Sequence, residues 1–199
     1  MSQRHIQFES NIQRARDMVG LGQALGNMTQ GVVNGSDLYR AALVQAVASL
    51  DSYMHGVMLD RSVDILMGRA HVGSGRGIGL PLHAISDLLA TAVPADRELR
   101  VRTHLAQRFS VETYQKADSI SAALSSIGTA KLWTTAFGPD AETTRTELNL
   151  IVERRNRIVH SCDTDTLNPG QLTQISASDA LEAVEQIQRI VTEIDKLIS

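Results

Sequence analysis

Arg155, Asn156 and His160 bring three kinds of chemistry to one short stretch of the sequence. A guanidinium can bind a phosphate through two parallel hydrogen bonds. An imidazole, with an unperturbed pKa of about 6.5, can accept or give a proton near neutral pH. An amide can orient either partner. The three side chains are therefore candidate catalytic residues for a reaction at a phosphate group.

A helix must position these side chains. The pattern predicts that this helix begins at Asp140 and runs to about His160, because one stripe recurs at helical spacing. The members of the stripe are Leu148, Ile151, Val152, Arg155 and Val159. Arg155 is thus aimed at the apolar face, where a charge must snorkel, pair with another group or line a cleft.

The residues around Arg155 differ in direction. Asn156 and His160 are four residues apart, so their side chains lie one turn apart on adjoining faces and can touch. Arg154 and Arg157 point further around the helix toward solvent, and we expect them to contact the substrate. A structural alternative for Arg155 and His160 is a snorkelling arginine and a histidine that caps the last carbonyls.

The rest of the chain predicts an all-α fold, a helical bundle in which the long second helix is central. The predicted helices are Phe8 to about Met28, Leu38 to about Met67, Pro81 to Leu89, Pro94 to about Arg108, Ser110 to Ile127, Lys131 to Phe137, Asp140 to about His160, and Asp179 to Ile198. Ser36 and Asp37 can cap the second helix, and Ser110 can cap the fifth. We find no internal repeat and no convincing strand.

The segment from Val72 to Leu80, V-G-S-G-R-G-I-G-L, invites comparison with phosphate-binding loops. Such a loop must follow a β-strand, whereas this segment follows a long helix and lacks the Gly-Lys-Ser/Thr ending. We therefore interpret Gly73–Gly79 as a connection between helices. A role as a mobile lid stays open.

Composition limits the functional classes. A chain of 199 residues suits a single domain over residues 1–199, and its net charge of -3 provides no general attraction for nucleic acid. The lone Cys162 excludes an internal disulfide and a cysteine-based zinc site, and it fits a reducing compartment. The charged N-terminus and the lack of an apolar run of ~20 residues argue against secretion and membrane insertion. The expected location is the cytoplasm.

The motif Arg155-Asn156-Arg157-Ile158-Val159-His160 resembles the signature of the HEPN superfamily, in which Arg and a polar residue are followed by three residues and His near a helix end. The segment Leu50-Asp51-Ser52-Tyr53-Met54-His55 and residues 151–163 look most like its RiboL-PSP-HEPN branch. The motif covers six residues, and the rest of the chain is similar only in its helical outline.

The resemblance implies an antiparallel helical bundle that forms a homodimer, with two copies of the motif facing one cleft. It also implies a metal-independent endoribonuclease that needs no cofactor. His160 would exchange protons with the attacking 2'-hydroxyl or the leaving 5'-oxygen. Arg155 would stabilise charge on the scissile phosphate, and Asn156 would hold the imidazole or a phosphate oxygen. RNA is then the substrate, and a prokaryotic defence or toxin role with a neutralising or activating partner protein is expected.

Two other functions fit the sequence. One is a non-catalytic HEPN-type module that binds RNA, a nucleotide or a partner protein. The other is a structural dimer in which the stripe containing Arg155 packs against a partner's acid. Loss of RNA cleavage in a folded, dimeric Arg155 or His160 variant would separate the enzyme from both alternatives.

The remaining polar residues near the motif, or elsewhere on helices, predict structural roles. Asp51 and His55 fit an ordinary hydrogen bond along a helix face, although they could also face the cleft. Cys162, two residues after His160, fits a small buried side chain, although it could also approach the cleft. Asp163 and Glu153 fit surface ion pairs with Arg154 or Arg157 of little energetic consequence. His71, His83 and His104 are single, with no spacing that indicates a metal site.

Overall fold

The computed structural model describes residues 2–73 and 77–198. Within these ranges the chain is all-α, and its only β-type pairing is one antiparallel bridge between Thr164 and Leu172. The eight α-helices of the described residues are α1 (Gln3–Met28), α2 (Ser36–Leu66), α3 (Leu82–Ala90), α4 (Pro94–Phe109), α5 (Ala117–Ser126), α6 (Leu132–Phe137), α7 (Ala141–Ser161) and α8 (Ala177–Ile198). A short 3-10 turn, Gly138–Asp140, precedes α7. The predicted fold class is confirmed.

The long helix α2 is central, as predicted, and it packs against α1, α4, α7 and α8. Its 31 residues give it a length of about 46 Å. The core contains fully buried side chains from α1, α2, α7 and α8, among them Phe8, Ile12, Leu50, Met54, Leu148, Ile187 and Ile190. These positions follow three- and four-residue spacing within each helix, which is why apolar periodicity predicts the elements well.

The first helix continues through three glycines, Gly20, Gly22 and Gly26, that have poor helix propensity. Gly22 lies where α1 meets the start of α2. A Cβ added to Gly35 would lie 2.4 Å from the Gly22 carbonyl oxygen. Two glycines thus allow the backbones of α1 and the α1–α2 connection to touch.

The predicted helix from Ser110 to Ile127 is wrong in its first half. Ser110 is the C-cap of α4, and its hydroxyl donates to the Gln107 carbonyl at 2.8 Å. Residues 111–116 are not helical, and α5 begins at Ala117. The reason is a distant carboxylate, because Asp51 Oδ1 accepts the Tyr114 amide at 2.7 Å and so satisfies the backbone outside a helix.

The glycine-rich connection between α2 and α3 is described in part. On its first side, the Gly73 amide donates to the Ser126 carbonyl at 3.3 Å, and a Cβ there would lie 2.2 Å from the Ser125 carbonyl oxygen. Residues 77–80 are not helical. The possible lid role of this segment depends on residues 74–76, which lie outside the described residues. Among the described helices, none combines the length and the apolar character needed to cross a membrane.

Replacing Gly35 by Ala should lower the free energy of unfolding by about 1–3 kcal/mol, because the added methyl group forces two backbones apart. Gly20 is a matched control, since a Cβ added there meets nothing within 4 Å. Gly20→Ala should raise the free energy of unfolding by about 0.5–1 kcal/mol through helix propensity. Urea denaturation followed by circular dichroism measures both changes, and equal effects of the two substitutions would contradict the close contact.

Candidate functional site

The C-terminal end of α7 carries the predicted catalytic residues. Val152 is buried against the core, and Arg155 follows one turn later as a half-buried side chain. The Arg155 guanidinium donates from Nη1 to Asn156 Oδ1 at 3.0 Å. Its Nε is buried and has no hydrogen-bond partner among the described residues. Arg155 is therefore half-buried at the apolar stripe and paired with an amide.

His160 lies in the last turn of α7 and is exposed. The described residues provide it with no hydrogen bond or ion pair, and the amide oxygen of Asn156 is used by Arg155 instead. Val159 is 48% exposed, so the predicted apolar stripe ends before the last turn. The imidazole therefore projects from a helix end that the described chain leaves partly uncovered.

Arg154 does not point toward solvent as predicted. Its side chain is 17% exposed. The guanidinium Nη2 donates to Asp163 Oδ2 at 2.7 Å and to the carbonyls of Thr173 and Gln174 at 3.0 and 3.1 Å. These bonds tie α7 to the segment that leads into α8. Arg154 is thus part of a structural clamp, which consists of Asp163 and the guanidiniums that bind it. This role weakens the assignment of Arg154 as a substrate contact.

Asp163 pairs with Arg154 as predicted, but the pair is not on the surface. Asp163 is fully buried, and its Oδ2 also accepts the Arg40 Nε at 2.9 Å. Arg40, near the start of α2, donates in addition to the Thr173 carbonyl at 2.7 Å. Removing one partner of such a buried charge lowers the free energy of unfolding far more than removing one partner of a surface pair.

Cys162 is exposed, so the prediction that it is a small buried side chain is wrong. It is the C-cap of α7 and adopts the left-handed conformation, with φ at 49°. This conformation turns the chain away from the helix axis immediately after His160. The next residue, Asp163, enters the protein instead.

The predicted basic cluster is divided between two sides of α7. Arg155 and Arg157 project about 160° apart, because successive residues rotate by about 100°. Arg154 and Arg157 line a depression of about 330 Å³ beside Ile175 of the segment before α8, and Arg155, Asn156 and His160 do not line it. Arg157 is exposed and remains available to a ligand.

A second polar group lies on the side of α7 that carries Asn156. Asn149 Oδ1 accepts the Ala117 amide at 3.1 Å and so holds the start of α5. Gln115 precedes Ala117 by two residues, and its side-chain amide donates to Asp51 Oδ2 at 3.0 Å. These carboxylate and amide bonds fix the connection between α4 and α5 against α2 and α7.

The predicted hydrogen bond between Asp51 and His55 is not formed. His55 Nε2 lies 3.8 Å from Asp51 Oδ1, whose acceptor positions serve the α4–α5 connection. The His55 ring instead packs edge-on against Tyr114, with centroids 4.8 Å apart. Burial, with the nearby charge of Glu112, raises the pKa of Tyr114 to about 12, so its hydroxyl stays protonated at neutral pH.

Sequence reasoning missed a buried polar group where α1, α2 and α8 meet. His5 is buried, and its Nδ1 lies 3.8 Å from Asp195 Oδ2. The Tyr53 and Ser2 hydroxyls donate to Asp195 Oδ1 at 3.0 and 2.7 Å. Burial alone would raise the pKa of Asp195, but these hydrogen bonds hold it below its ordinary value. The group comes from three distant parts of the chain, and no local pattern indicates it.

Two histidines that the sequence leaves separate lie together between α3 and α4. The His83 and His104 rings are 6.0 Å apart, and His104 Nε2 is 2.9 Å from Asp87 Oδ2. That hydrogen bond lowers the pKa of Asp87, and Arg100 adds to the effect. Over residues 2–73 and 77–198, no group of three or more His, Cys, Asp or Glu side chains is arranged to hold a metal ion.

Comparison of the chain with protein-family models, with characterised proteins and with solved structures found no match. The site itself is therefore the ground for assigning a function. It offers a half-buried guanidinium paired with an amide, and an exposed imidazole and arginine close by in the same helix. These groups can bind an anion and transfer a proton.

The division of the arginines predicts different costs of removing them. Arg154→Ala should lower the free energy of unfolding by roughly 3 kcal/mol, because it leaves the buried Asp163 with one guanidinium fewer. Arg157→Ala should change it by less than about 0.5 kcal/mol, since that side chain is exposed and lies outside the clamp. Chemical denaturation measures both, and similar effects would show that Arg154 is not a clamp.

Proposed function

We propose that the protein is a metal-independent endoribonuclease of the HEPN type, with Arg155, Asn156 and His160 as its catalytic residues. The observation that carries the proposal is the arrangement at the end of α7. A half-buried guanidinium, held by an amide at 3.0 Å, lies five residues before an exposed imidazole on a partly uncovered helix end. The residue types match the motif, and the groups are accessible to a polyanion.

In the proposed reaction the 2'-oxygen attacks the neighbouring phosphorus, the bond from phosphorus to the 5'-oxygen breaks, and a 2',3'-cyclic phosphate forms. One base removes the 2'-hydroxyl proton, and one acid gives a proton to the leaving 5'-oxygen. Arg155 stabilises the charge that develops on the phosphate oxygens. Asn156 keeps the guanidinium in place, which fits its observed bond better than the role of holding the imidazole.

The proposed active form is a homodimer, because two proton transfers need two titratable groups and each chain brings one His160. One apolar side chain supports a partner at this end of the molecule. Val159, in the last turn of α7, is 48% exposed. A second copy packed across the helix ends would cover apolar surface and bring the two imidazoles together.

Arg157 is the proposed substrate contact. It is exposed and lies about 60° from His160 around α7, whereas the donors of Arg154 bind Asp163 and two carbonyls. With few aromatic side chains and a net charge of -3, the protein would bind RNA through phosphate contacts and shape, with little base stacking. A cytoplasmic defence or toxin role, controlled by an activating or neutralising protein, is part of the same proposal.

One observation favours a second function, a non-catalytic module that binds RNA or a nucleotide. In general acid–base catalysis the imidazole is commonly oriented by a hydrogen-bond partner. The described residues of one chain provide no such partner for His160, while Arg155 and Asn156 already form an anion-binding pair. The two functions differ in whether cleavage depends on the imidazole.

Purified protein incubated with total RNA in EDTA should produce fragments with cyclic phosphate or 3'-phosphate ends. His160→Gln should lower the cleavage rate by ~100-fold or more while RNA binding stays, because an amide cannot exchange the proton. End-group analysis and gel quantification measure this. Cleavage that EDTA abolishes and Mg²⁺ restores would contradict the proposed chemistry. Cleavage at the parental rate by His160→Gln would favour the second function, a non-catalytic binding module.

Arg155→Lys should lower the cleavage rate in the same assay far more than the matched Arg157→Lys does, because lysine lacks the planar fork of the guanidinium.

The protein should be a symmetric dimer in solution. Light scattering coupled to gel filtration measures its mass, and Val159→Asp should shift it toward the monomer by placing a charge in the proposed interface. Val33→Asp is a control, since Val33 is also exposed but lies in the α1–α2 connection. A monomer at every concentration would remove the shared cleft from the proposal.

A further inference from the structure

We propose that Asp163 is a positioning residue that holds His160 in place through its buried charge. This inference rests on the proposed function for its effect on catalysis, but its physical basis is independent of it. Asp163 stands three residues after His160, beyond the end of α7, and is fully buried.

The chain makes an unusual turn directly after His160. Cys162 and Asp163 are consecutive residues in the left-handed region, with φ at 49° and 54°. Side chains with a Cβ adopt this region at an energetic cost, so a turn of two such residues needs other contacts to maintain it. Both amides donate to the Arg157 carbonyl, and the Asp163 bond measures 3.0 Å.

The contacts that maintain the turn are those of Asp163, whose backbone carbonyl accepts the Thr173 amide at 2.8 Å and whose carboxylate is buried. Its Oδ2 receives the Arg40 Nε at 2.9 Å and the Arg154 Nη2 at 2.7 Å. The two guanidiniums also share the Thr173 carbonyl, at 2.7 and 3.0 Å. The end of α7 is thereby fastened at once to α2, to its own previous turn and to the segment before α8.

This clamp holds the last turn of α7 against the rest of the protein, in addition to the backbone hydrogen bonds of the turn. His160 has no hydrogen bond or ion pair of its own among the described residues, so within one chain the backbone of this turn sets where the imidazole is attached relative to Arg155. Loss of the Asp163 charge leaves the Arg154 guanidinium without its ion-pair partner and leaves Arg40 with only the exposed Asp37, and it releases the turn. The imidazole then spends less time in line with the phosphate, while the anion-binding Arg155 and Arg157 remain.

Asp163→Asn tests the charge with little change in shape, since asparagine also tolerates the left-handed conformation. We expect kcat for RNA cleavage to fall about tenfold or more, because small displacements of a catalytic group are costly. KM should stay within about twofold, as expected when substrate binding is retained. Amide hydrogen exchange in residues 158–164 should accelerate by about tenfold or more, with exchange in residues 144–152 unchanged.

Asp37→Asn is the matched control. Asp37 contacts the same Arg40, through Nη1 at 3.2 Å, but its side chain is 85% exposed. This variant should change neither exchange nor kcat. In a His160→Gln background, Asp163→Asn should cause no further loss of the residual rate, because its effect is transmitted through the imidazole.

Arg154→Gln is the milder second variant, to be used if Asp163→Asn does not fold. It leaves Arg40 on the carboxylate, so it should give the same changes in exchange and kcat on a smaller scale, again with KM retained. Unchanged exchange in residues 158–164, or a rise in KM without a fall in kcat, in whichever variant folds, would overturn the inference. If the parental protein cleaves no RNA, the proposed function fails, and the exchange measurements still decide whether Asp163 holds the turn.

Discussion

A single buried carboxylate, Asp163, determines how the end of α7 meets the rest of the protein. Its two guanidinium partners come from α2 and α7. A buried ion pair often adds little net stability, because desolvation offsets most of the attraction, whereas loss of one partner costs about 3–5 kcal/mol. The clamp therefore selects one arrangement of the chain more than it strengthens the fold. That arrangement turns the backbone away just after His160 and leaves the last turn of α7 exposed.

The same clamp explains why neighbouring arginines have different roles. Arg154 projects toward the segment before α8 and donates its hydrogen bonds to Asp163 and two carbonyls. Arg155, about 100° further around the helix, reaches out from the core and binds Asn156. Arg157 faces solvent. Of the three arginines in the basic run, one has a structural role and two can bind an anion. The number of arginines available to a ligand is therefore smaller than the sequence indicates.

The fold could be predicted largely from the sequence, because apolar periodicity is a local property. The spacing of Phe8 and Ile12 in α1, or of Ile187 and Ile190 in α8, is visible without knowing what covers them. Features set by distant partners could not be predicted. Ser110 looks like an N-cap until Asp51 is known to bind the backbone at Tyr114. Asp163 looks like a surface acid, and its burial depends on Arg40, which is 123 residues away in the sequence.

For the candidate site, the sequence could predict the helix and the half-buried position of Arg155, but not the partner of Asn156 or the isolation of His160. Both facts favour phosphate binding over proton transfer within one chain. An imidazole without an orienting group samples several directions, and a guanidinium already held by an amide does not. One chain is therefore better prepared to bind a phosphate than to transfer a proton. Under the proposed function, the second chain must supply both the second imidazole and the surface that orients the first. The exposed Val159 beside His160 lies where such a surface would pack.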